Sequence, residues 1–234
     1  MPHNRFFIDT SLQEKGVVTF QGEEAHHMLK VMRLTEGDCI EIVNGQGQLG
    51  KASLQKIQPA LVSCVIHDLI FEKKKHSFII AQSIVKPALL ELVIEKNTEL
   101  GAEELWIFPG TYSEKKELTS HQLERLHKHL VGALKQCGRL YLPLLRLFTS
   151  LEQLLAEPNY HFLYGDTSPS APRLSIHHKP SEKVPVFVVG PEKGFHEKEL
   201  AILKERKAEG VSLHSNILRA ETASITASAL LSAI

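Results

Sequence analysis

Near the end of the chain, two strands of largely apolar residues each run into an irregular turn that opens a helix. Val184-Pro185-Val186-Phe187-Val188-Val189 leads into Gly190-Pro191-Glu192-Lys193-Gly194-Phe195, and Gly210-Val211-Ser212-Leu213-His214 leads into Ser215 through Ala223. Apolar strands that alternate with helices predict a parallel sheet covered on both faces. Ligands of such sheets bind beyond the carboxyl ends of the strands, so we expect both turns at one ligand-binding edge.

The same alternation of strand and helix extends back through the middle of the chain. It predicts an α/β domain with a mainly parallel sheet. The prolines between Tyr164 and Val186, which are interspersed with serine and histidine, indicate a loop. The elements predicted in this part are a strand at Phe78–Ile84, a helix from about Ala88 to Leu100, a strand at Leu105–Phe108, a helix from Ser120 to Gln136, and further elements at Leu151–Glu157 and Phe162–Tyr164.

The beginning of the chain has a different pattern, typical of a small β-rich unit. Cys39–Val43 is a short apolar run, Asn44-Gly45 is a tight-turn signal, and Gln48–Ile57 and Ala60–His67 alternate apolar with polar residues. Ahead of them, Glu23–Leu34 has helical spacing. The charged segment from Glu72 to His76 predicts a linker, so we place the domains at residues 1–72 and 73–234.

Composition restricts the partners and the compartment of the protein. The 234 residues include 27 basic and 27 acidic side chains, so a nucleic acid would have to be bound by local basic patches. Cys39, Cys64 and Cys137 match neither a disulfide framework nor a zinc site. The first residues lack the apolar core of a secretory signal, and no stretch approaches the ~20 apolar residues of a membrane span. We therefore expect a soluble, cytoplasmic protein without a bound metal.

Three sequence patterns resemble known motifs but favour a simpler interpretation. Gly45 to Gly50 matches the G-x-G-x-x-G dinucleotide fingerprint, but the following residues alternate as a strand and do not open a helix, which favours a hairpin. His196-Glu197 begins a zinc-protease motif, but Leu200 stands where the second histidine is required. The adjacent pairs His26-His27 and His177-His178 are poorly placed for chelation, because neighbours in sequence do not share a helix face.

The two turns near the end of the chain allow both a structural and a binding interpretation. Gly190 to Phe195 has two glycines around a proline, a carboxylate and a lysine, and glycines let backbone amides approach a ligand closely. In Ile217 to Ala223, Glu221 and Thr222 are suited to capping a helix. Arg219 is suited either to pairing with an acid or to binding negative charge in a ligand crevice.

Taken together, these residues resemble the SPOUT-class RNA methyltransferases, and within them the ribosomal RNA small subunit methyltransferase E family, which methylates N3 of a uridine in 16S ribosomal RNA. Arg5-Phe6-Phe7 and His26 to Arg33 look like the start of its PUA-like RNA-binding β-barrel, so the resemblance covers the whole chain. The other matching residues are Lys96 to Gly101, Gln136 to Arg139, Gly190 to Phe195 with Glu199, and Ile217 to Ala223.

The resemblance implies a C-terminal α/β domain with a trefoil knot, S-adenosylmethionine as the cofactor, and a homodimer formed through the knot. It also implies three cofactor loops. The family has a glycine where His214 stands, so a side chain is added where the backbone is expected to approach the cofactor. The cofactor-binding residues implied in this way are Tyr164, Gly165, Gly190, Pro191, Glu192, Gly194, Leu213, Asn216, Ile217, Leu218 and Arg219.

The catalytic hypothesis concerns the proton on uracil N3, which has to leave before the nitrogen attacks well. Arg219 is predicted to stabilise the anionic ring, and Glu192 or Glu221 to accept the proton. Phosphates of the RNA would be bound by basic side chains outside this site. The candidates are Arg5, Lys30, Arg33 and Arg139, with Lys73 to Lys75 as further ones.

Three alternatives stay open at this point. The first is an enzyme of the same class that acts on another RNA site. The second is a non-catalytic RNA-binding or ribosome-assembly factor. The third, a dinucleotide-dependent enzyme, rests only on the glycines at 45–50 and needs a helix after Gly50.

Overall fold

A computed structural model describes residues 4–58, 60–74, 78–175 and 182–233. The chain divides into two compact units. The first consists of Met1–Lys75 and Val131–Leu142, and the second of His76–Leu130 and Pro143–Ile234. The domain boundary after residue 72 stays a prediction, and it does not foresee that Val131–Leu142 belongs to the first unit.

The first unit is built on a five-stranded sheet with the order β1-β3-β4-β5-β2. Strands β1 and β3 are parallel, and the other pairs are antiparallel. Its core contains Phe6, Met28, Ile42 and Ile66. In the segment Leu61–Phe71, the buried residues Val62, Cys64 and Ile66 alternate with more exposed ones, as the sequence predicts. The strands are β1 (Arg5–Phe7), β2 (Val17–Gln21), β3 (Cys39–Val43), β4 (Gln48–Gln58) and β5 (Leu61–Phe71).

The glycines at 45–50 form the hairpin that the alternation predicts. Gly45 and Gly47 have positive φ angles of 71° and 89°, and strand β4 begins at Gln48. The Asn44 side chain accepts hydrogen bonds from the backbone N–H groups of Gln46 and Gln48, at 2.9 and 3.2 Å. A strand, and not a helix, follows Gly50, so the dinucleotide alternative loses its only support.

The helix predicted over Glu23–Leu34 is shorter and less regular in the structure. An α-helix, α1, covers only Gly22–His26, and a π-helical turn covers His27–Val31. Met32 N–H donates to the carbonyl of His27, 2.9 Å away, in the wider spacing of such a turn. Arg33 then has a φ of 56°, a left-handed conformation that ends the helix before Leu34.

The second unit is an α/β domain on a six-stranded sheet with the order β11-β9-β10-β6-β7-β8, and every neighbouring pair is parallel. This confirms the predicted fold class. The strands are β6 (Ile79–Ser83), β7 (Glu104–Phe108), β8 (Leu144–Leu147), β9 (Tyr160–Gly165), β10 (Val184–Val189) and β11 (Glu209–Val211). The helices are α2 (Pro87–Glu99), the first part of α3 (Ser120–Cys137), α4 (Leu151–Leu155), α5 (Glu197–Glu205) and α6 (Ala220–Leu231). From Val131 onward, α3 belongs to the first unit.

The sheet is buried on both faces. On one face, Trp106, Phe162 and Val188 pack with residues of α4 and α5. Helix α6 packs against β6, β10 and α2. In the part of the chain that the structure describes, no helix is both long and apolar enough to cross a bilayer.

Two features of the sheet differ from the sequence-based expectations. The strand predicted at Gly210–His214 ends at Val211, because the backbone N–H of Ser212 donates to the carbonyl of Pro172 and the chain leaves the ladder there. The short strands β1, β2 and β8 were not predicted. They span three to five residues, too few for a clear alternation.

A buried polar cluster joins α2 to α6. Asn97 donates to the carbonyl of Val93 at 2.7 Å and to the Ser224 hydroxyl at 3.0 Å, and it accepts a hydrogen bond from the Ser228 hydroxyl. All three polar side chains of this cluster are fully buried. One amide therefore satisfies two hydroxyl groups that have no access to water.

Replacement of Asn97 by alanine is expected to destabilise the protein, because both serine hydroxyls lose their buried partner. We expect the free energy of unfolding to fall by about 1–3 kcal/mol, measured by urea denaturation. Asn216→Ala, which removes the same atoms from an exposed loop, is the matched control and should change stability by less than about 0.5 kcal/mol. Equal effects of the two variants would contradict the role assigned to Asn97.

Candidate functional site

A pocket of about 710 Å³ lies at the carboxyl edge of the sheet in the second unit. Its walls are the loops that follow β9, β10 and β11, at residues 165–171, 190–195 and 212–218. These strands are neighbours in the sheet, with β9 between β10 and β11. The two turns singled out in the sequence therefore meet in one pocket. Strand β9 lies between the strands that carry them, and the loop after β9 forms the third wall.

The turn after β10 brings its backbone close to the pocket. A Cβ atom added at Gly190 would lie 3.3 Å from the Phe195 ring, so only glycine fits there without displacing the ring. Gly194 has a φ of 79°, and its N–H donates to the carbonyl of Pro191, 2.8 Å away. Pro191 packs against Gly110 in the loop after β7, where an added Cβ would lie 3.0 Å from the proline ring.

Glu199 attaches this turn to the loop after β7. Its Oε2 accepts a hydrogen bond from the N–H of His196 at 2.7 Å, and its Oε1 accepts one from the N–H of Thr111 at 2.9 Å. The residue is only 5% exposed. Hydrogen bonds to a charged acceptor are stronger than neutral ones, so this carboxylate is a firm support for the wall of the pocket.

The loop after β11 places His214 at the pocket without closing it. The His214 Nδ1 accepts a hydrogen bond from the backbone N–H of Asn216 at 3.0 Å, and the Ser212 hydroxyl donates to the His214 carbonyl at 3.1 Å. The ring is therefore turned back onto its own loop, and the residue is exposed. Further along, the Ile217 side chain is 82% exposed at the rim.

The loop after β9 contributes a carboxylate, Asp166, to the lining. Its Oδ1 accepts hydrogen bonds from the N–H of Ser168 at 2.8 Å and from the Ser168 hydroxyl at 2.6 Å. A Cβ atom added at Gly210 would lie 2.9 Å from Asp166 Oδ2 and 2.8 Å from the Tyr164 hydroxyl oxygen. Burial, and then the charge of Asp166, raises the pKa of Tyr164, so this phenol keeps its proton at neutral pH.

The pocket brings together most of the residues predicted to bind a cofactor. Two members of that set, Tyr164 and Arg219, are not part of the lining. Tyr164 lies in the sheet, and its ring packs edge-on against Phe195 with centroids 6.2 Å apart. The predicted residues that line the pocket are Gly165, Gly190, Pro191, Glu192, Gly194, Leu213, Asn216, Ile217 and Leu218.

The three predicted catalytic residues occupy different environments. Arg219 is the exposed residue before α6, and its side chain forms no ion pair or hydrogen bond within the described residues. Glu192 lines the pocket and accepts a hydrogen bond from the Lys86 N–H at 3.3 Å. Glu221 is buried outside the lining, and its Oε2 has no hydrogen-bond partner in the described part of the chain.

The predicted RNA-binding residues belong to the first unit, and they differ in accessibility. Arg5 is a poor candidate, because its side chain is 8% exposed and pairs with Glu41 Oε2 through Nε and Nη2 at 2.8 and 2.7 Å. Arg139 is half-buried and interacts within the protein. Lys30 and Arg33 are exposed, and so are Lys73 and Lys74. Lys75, His76, His177 and His178 lie outside the described residues.

Sequence reasoning missed Asp166 and the roles of Ser168 and Glu199 as supports of the pocket. The only local signal for Asp166 is its position directly after the apolar strand that ends at Gly165. Glu199 contacts Thr111, which is far away in the sequence, and nothing near Glu199 predicts that contact. Among the described residues, no group of histidine, cysteine, aspartate and glutamate is arranged to bind a metal ion.

Comparison with known proteins agrees with this architecture. The family described as RNA methyltransferase domain matches residues 72–232, and the one described as RNA methyltransferase PUA domain matches residues 20–66. The chain is 30% identical to the ribosomal RNA small subunit methyltransferase E of Rickettsia conorii, over 97% of this chain and 94% of the relative. The Bacillus subtilis protein of the same name is 30% identical, over 95% and 93% of the two chains.

A solved structure is similar over nearly the whole chain. The ribosomal RNA small subunit methyltransferase E of Neisseria gonorrhoeae, bound to S-adenosyl methionine, superposes with a TM-score of 0.85 at 25% identity. The superposition covers 98% of this chain and 95% of the other.

Replacement of Glu199 by glutamine is expected to loosen the wall of the pocket. The glutamine carries an amide NH₂ where one of the two backbone N–H donors needs an acceptor, so we expect a loss of about 1.5–3 kcal/mol in the free energy of unfolding. Urea denaturation measures the loss, and NMR should show faster hydrogen exchange at the Thr111 and His196 amides.

Glu197→Gln is the matched control for this substitution. Glu197 is an exposed acid in the first turn of the same helix, and its replacement should change stability by less than about 0.5 kcal/mol. If the Thr111 amide exchanges at the same rate in both variants, the bridge does not support the pocket.

Proposed function

Because the chain belongs to the RNA methyltransferase family, and within it to the ribosomal RNA small subunit methyltransferase E family, we propose that it methylates N3 of a uridine in 16S ribosomal RNA with S-adenosylmethionine. The observation that supports the proposal is that the loops after three neighbouring parallel strands meet in one pocket. When bound, S-adenosylmethionine supplies an electrophilic methyl group on a sulfonium sulfur, which is left as a neutral thioether.

The pocket fits a cofactor of this size and polarity. Its volume of about 710 Å³ lies within the roughly 300–1,000 Å³ typical of small-molecule sites. Gly190 is part of the lining, and Phe187 and Leu213 add apolar surface to it. The His214 ring bonds to its own loop, so the side chain that replaces the family's glycine does not fill the pocket.

Arg219 is the residue that we assign to the anionic uracil ring. It immediately precedes Ala220, which lines the pocket, and within the described residues its guanidinium has no carboxylate partner that would neutralise its charge. A positioned cation of this kind stabilises negative charge that develops during proton loss and attack.

Glu192 is better placed than Glu221 to accept the N3 proton. Glu192 lines the pocket and is exposed there, so a bound base has access to its carboxylate. Glu221 faces the interior from the first turn of α6 and does not contribute to the lining. A general base has to come within hydrogen-bond reach of the proton that it removes, which favours Glu192.

The exposed tip at Lys30 to Arg33 is the part of the PUA-like unit that we propose for RNA binding. Lys30 and Arg33 flank two exposed apolar side chains, Val31 at 60% and Met32 at 41%. The cations are suited to phosphates and the apolar side chains to the faces of unpaired bases. Arg5 is left out of this surface, because its guanidinium is paired with Glu41.

Three further expectations stay predictions. The resemblance implies the trefoil knot and the homodimer through the knot, and the composition of the chain predicts the cytoplasmic location. The last of these also follows from the proposed substrate, because ribosomal RNA of the small subunit is modified where ribosomes are assembled.

The target nucleotide can be identified in a strain that lacks the gene. We expect one N3-methyluridine of 16S ribosomal RNA to be lost from the mass-spectrometric map and restored by the wild-type gene. Loss of a different methylated nucleoside would instead favour an enzyme acting on another RNA site. An unchanged map, together with no calorimetric binding of S-adenosylmethionine, would favour a non-catalytic RNA-binding factor.

Arg219→Ala is expected to reduce turnover much more than cofactor binding. We expect kcat to fall about 10²–10³-fold, as when one group that stabilises a developing anion is removed. The Kd of S-adenosylmethionine, measured by calorimetry, should change by less than about threefold, because the side chain does not line the pocket.

Arg206→Ala is the control for Arg219→Ala. Arg206 is an exposed arginine at the end of α5, outside the pocket lining, and both of its kinetic parameters should stay at the wild-type level. Unchanged turnover of Arg219→Ala with cofactor bound would refute the role given to Arg219.

A further inference from the structure

Asp166 is a pocket carboxylate whose charge is not neutralised by a neighbouring side chain. It lines the pocket and is only half-exposed, and within the described residues it forms no ion pair. Its backbone N–H donates to the carbonyl of Val211 at 2.9 Å, which fixes the loop after β9 to β11. The carboxylate therefore has a fixed place in the wall.

The two oxygens of Asp166 already have surroundings that do not require a ligand. Oδ1 accepts both hydrogen bonds from Ser168. Oδ2 lies next to the Cα of Gly210, and the Tyr164 hydroxyl lies next to the same atom. A Cβ atom added at Gly210 would therefore contact both oxygens. Because the phenol keeps its proton, Tyr164 adds no second charge. Asp166 therefore contributes mainly its negative charge to the pocket, and less a free hydrogen-bond acceptor.

The other ionisable residues of the lining are more exposed than Asp166. They are Glu192, Lys193 and His214. All three are exposed, and Lys193 follows Glu192 directly in the chain and opposes its charge. Exposed charges are screened by water more strongly than partly buried ones, so the charge of Asp166 is the least screened of those in the lining.

We propose that the Asp166 carboxylate makes the pocket prefer the sulfonium cation of S-adenosylmethionine to the neutral thioether of S-adenosylhomocysteine. This inference rests on the proposed function. The two molecules share their adenine, ribose, ammonium and carboxylate groups and differ in the methyl group and the charge at sulfur. A carboxylate that acts through its charge therefore discriminates between them, whereas a hydrogen bond to a shared group does not.

The preference has a consequence for turnover. Loss of the methyl group removes the positive charge at sulfur, and with it the attraction to Asp166. The demethylated product is then bound more weakly than the incoming cofactor, which favours its exchange for a new cofactor molecule.

The test is calorimetric titration of the wild-type protein and of Asp166→Asn with each of the two molecules. Asparagine keeps the Oδ1 acceptor for Ser168 and has nearly the same shape as aspartate. It removes the charge and replaces Oδ2 with an NH₂ group. We expect the Kd of S-adenosylmethionine to rise about tenfold, as for a close charge pair in a partly solvated site. The Kd of S-adenosylhomocysteine should change by less than about twofold, so the preference for the sulfonium falls by nearly the same factor of about ten.

Two further variants complete the test. Asp166→Glu keeps the charge and should keep most of the preference, and it also serves if the asparagine variant folds poorly. Asp9→Asn removes the same charge from an exposed site in the first unit and should change neither Kd.

An equal loss of affinity for both molecules, or no loss for either, would overturn the role of Asp166. The proposed function fails in a different way, namely if the wild-type protein binds neither molecule.

Discussion

The pocket depends on one constraint, the parallel order β11-β9-β10 at one end of the sheet. The carboxyl ends of parallel strands all lie at the same edge of the sheet, so the loops after three neighbouring strands meet there. The order of the strands also explains the importance of β9 for the pocket. It lies between the strands that carry the two glycine-rich or polar turns, and its own loop supplies the wall that contains Asp166.

Polar side chains that form hydrogen bonds within the protein hold the loops of the pocket in place. A turn with two glycines loses much conformational entropy when it becomes ordered, and the Glu199 carboxylate offsets part of that loss by binding two backbone donors from different loops. His214 stabilises its own loop in the same manner, through the Asn216 N–H. The pocket is thus preorganised by polar groups whose partners lie within the protein, and the surfaces facing the ligand stay available.

Local sequence patterns predicted β10, its turn and the start of α6, because an apolar run, two glycines and a polar helix start are all signals within a few residues. Local patterns could not predict that β9 lies between β10 and β11. The order of strands in a parallel sheet depends on the crossover connections and not on residues that are close in sequence. Arg5 illustrates the same limit. An arginine near the start of the chain suggests an exposed phosphate ligand, but Glu41, which is distant in the sequence, neutralises it in the fold. Asp166 was not predicted as a pocket residue, because a single carboxylate after a strand is not part of a recognisable sequence motif.

The two charges assigned to the reaction differ in how strongly water screens them. Asp166 is partly buried in the pocket wall, where we propose that its charge acts on the bound cofactor. Arg219 is exposed beside the pocket, where bulk water weakens its field. Attraction between charges grows as water is excluded, so the arginine gains most of its effect once a nucleobase covers it. Under the proposed role of Arg219, a substrate that covers this side chain strengthens the group that stabilises the substrate's own anion.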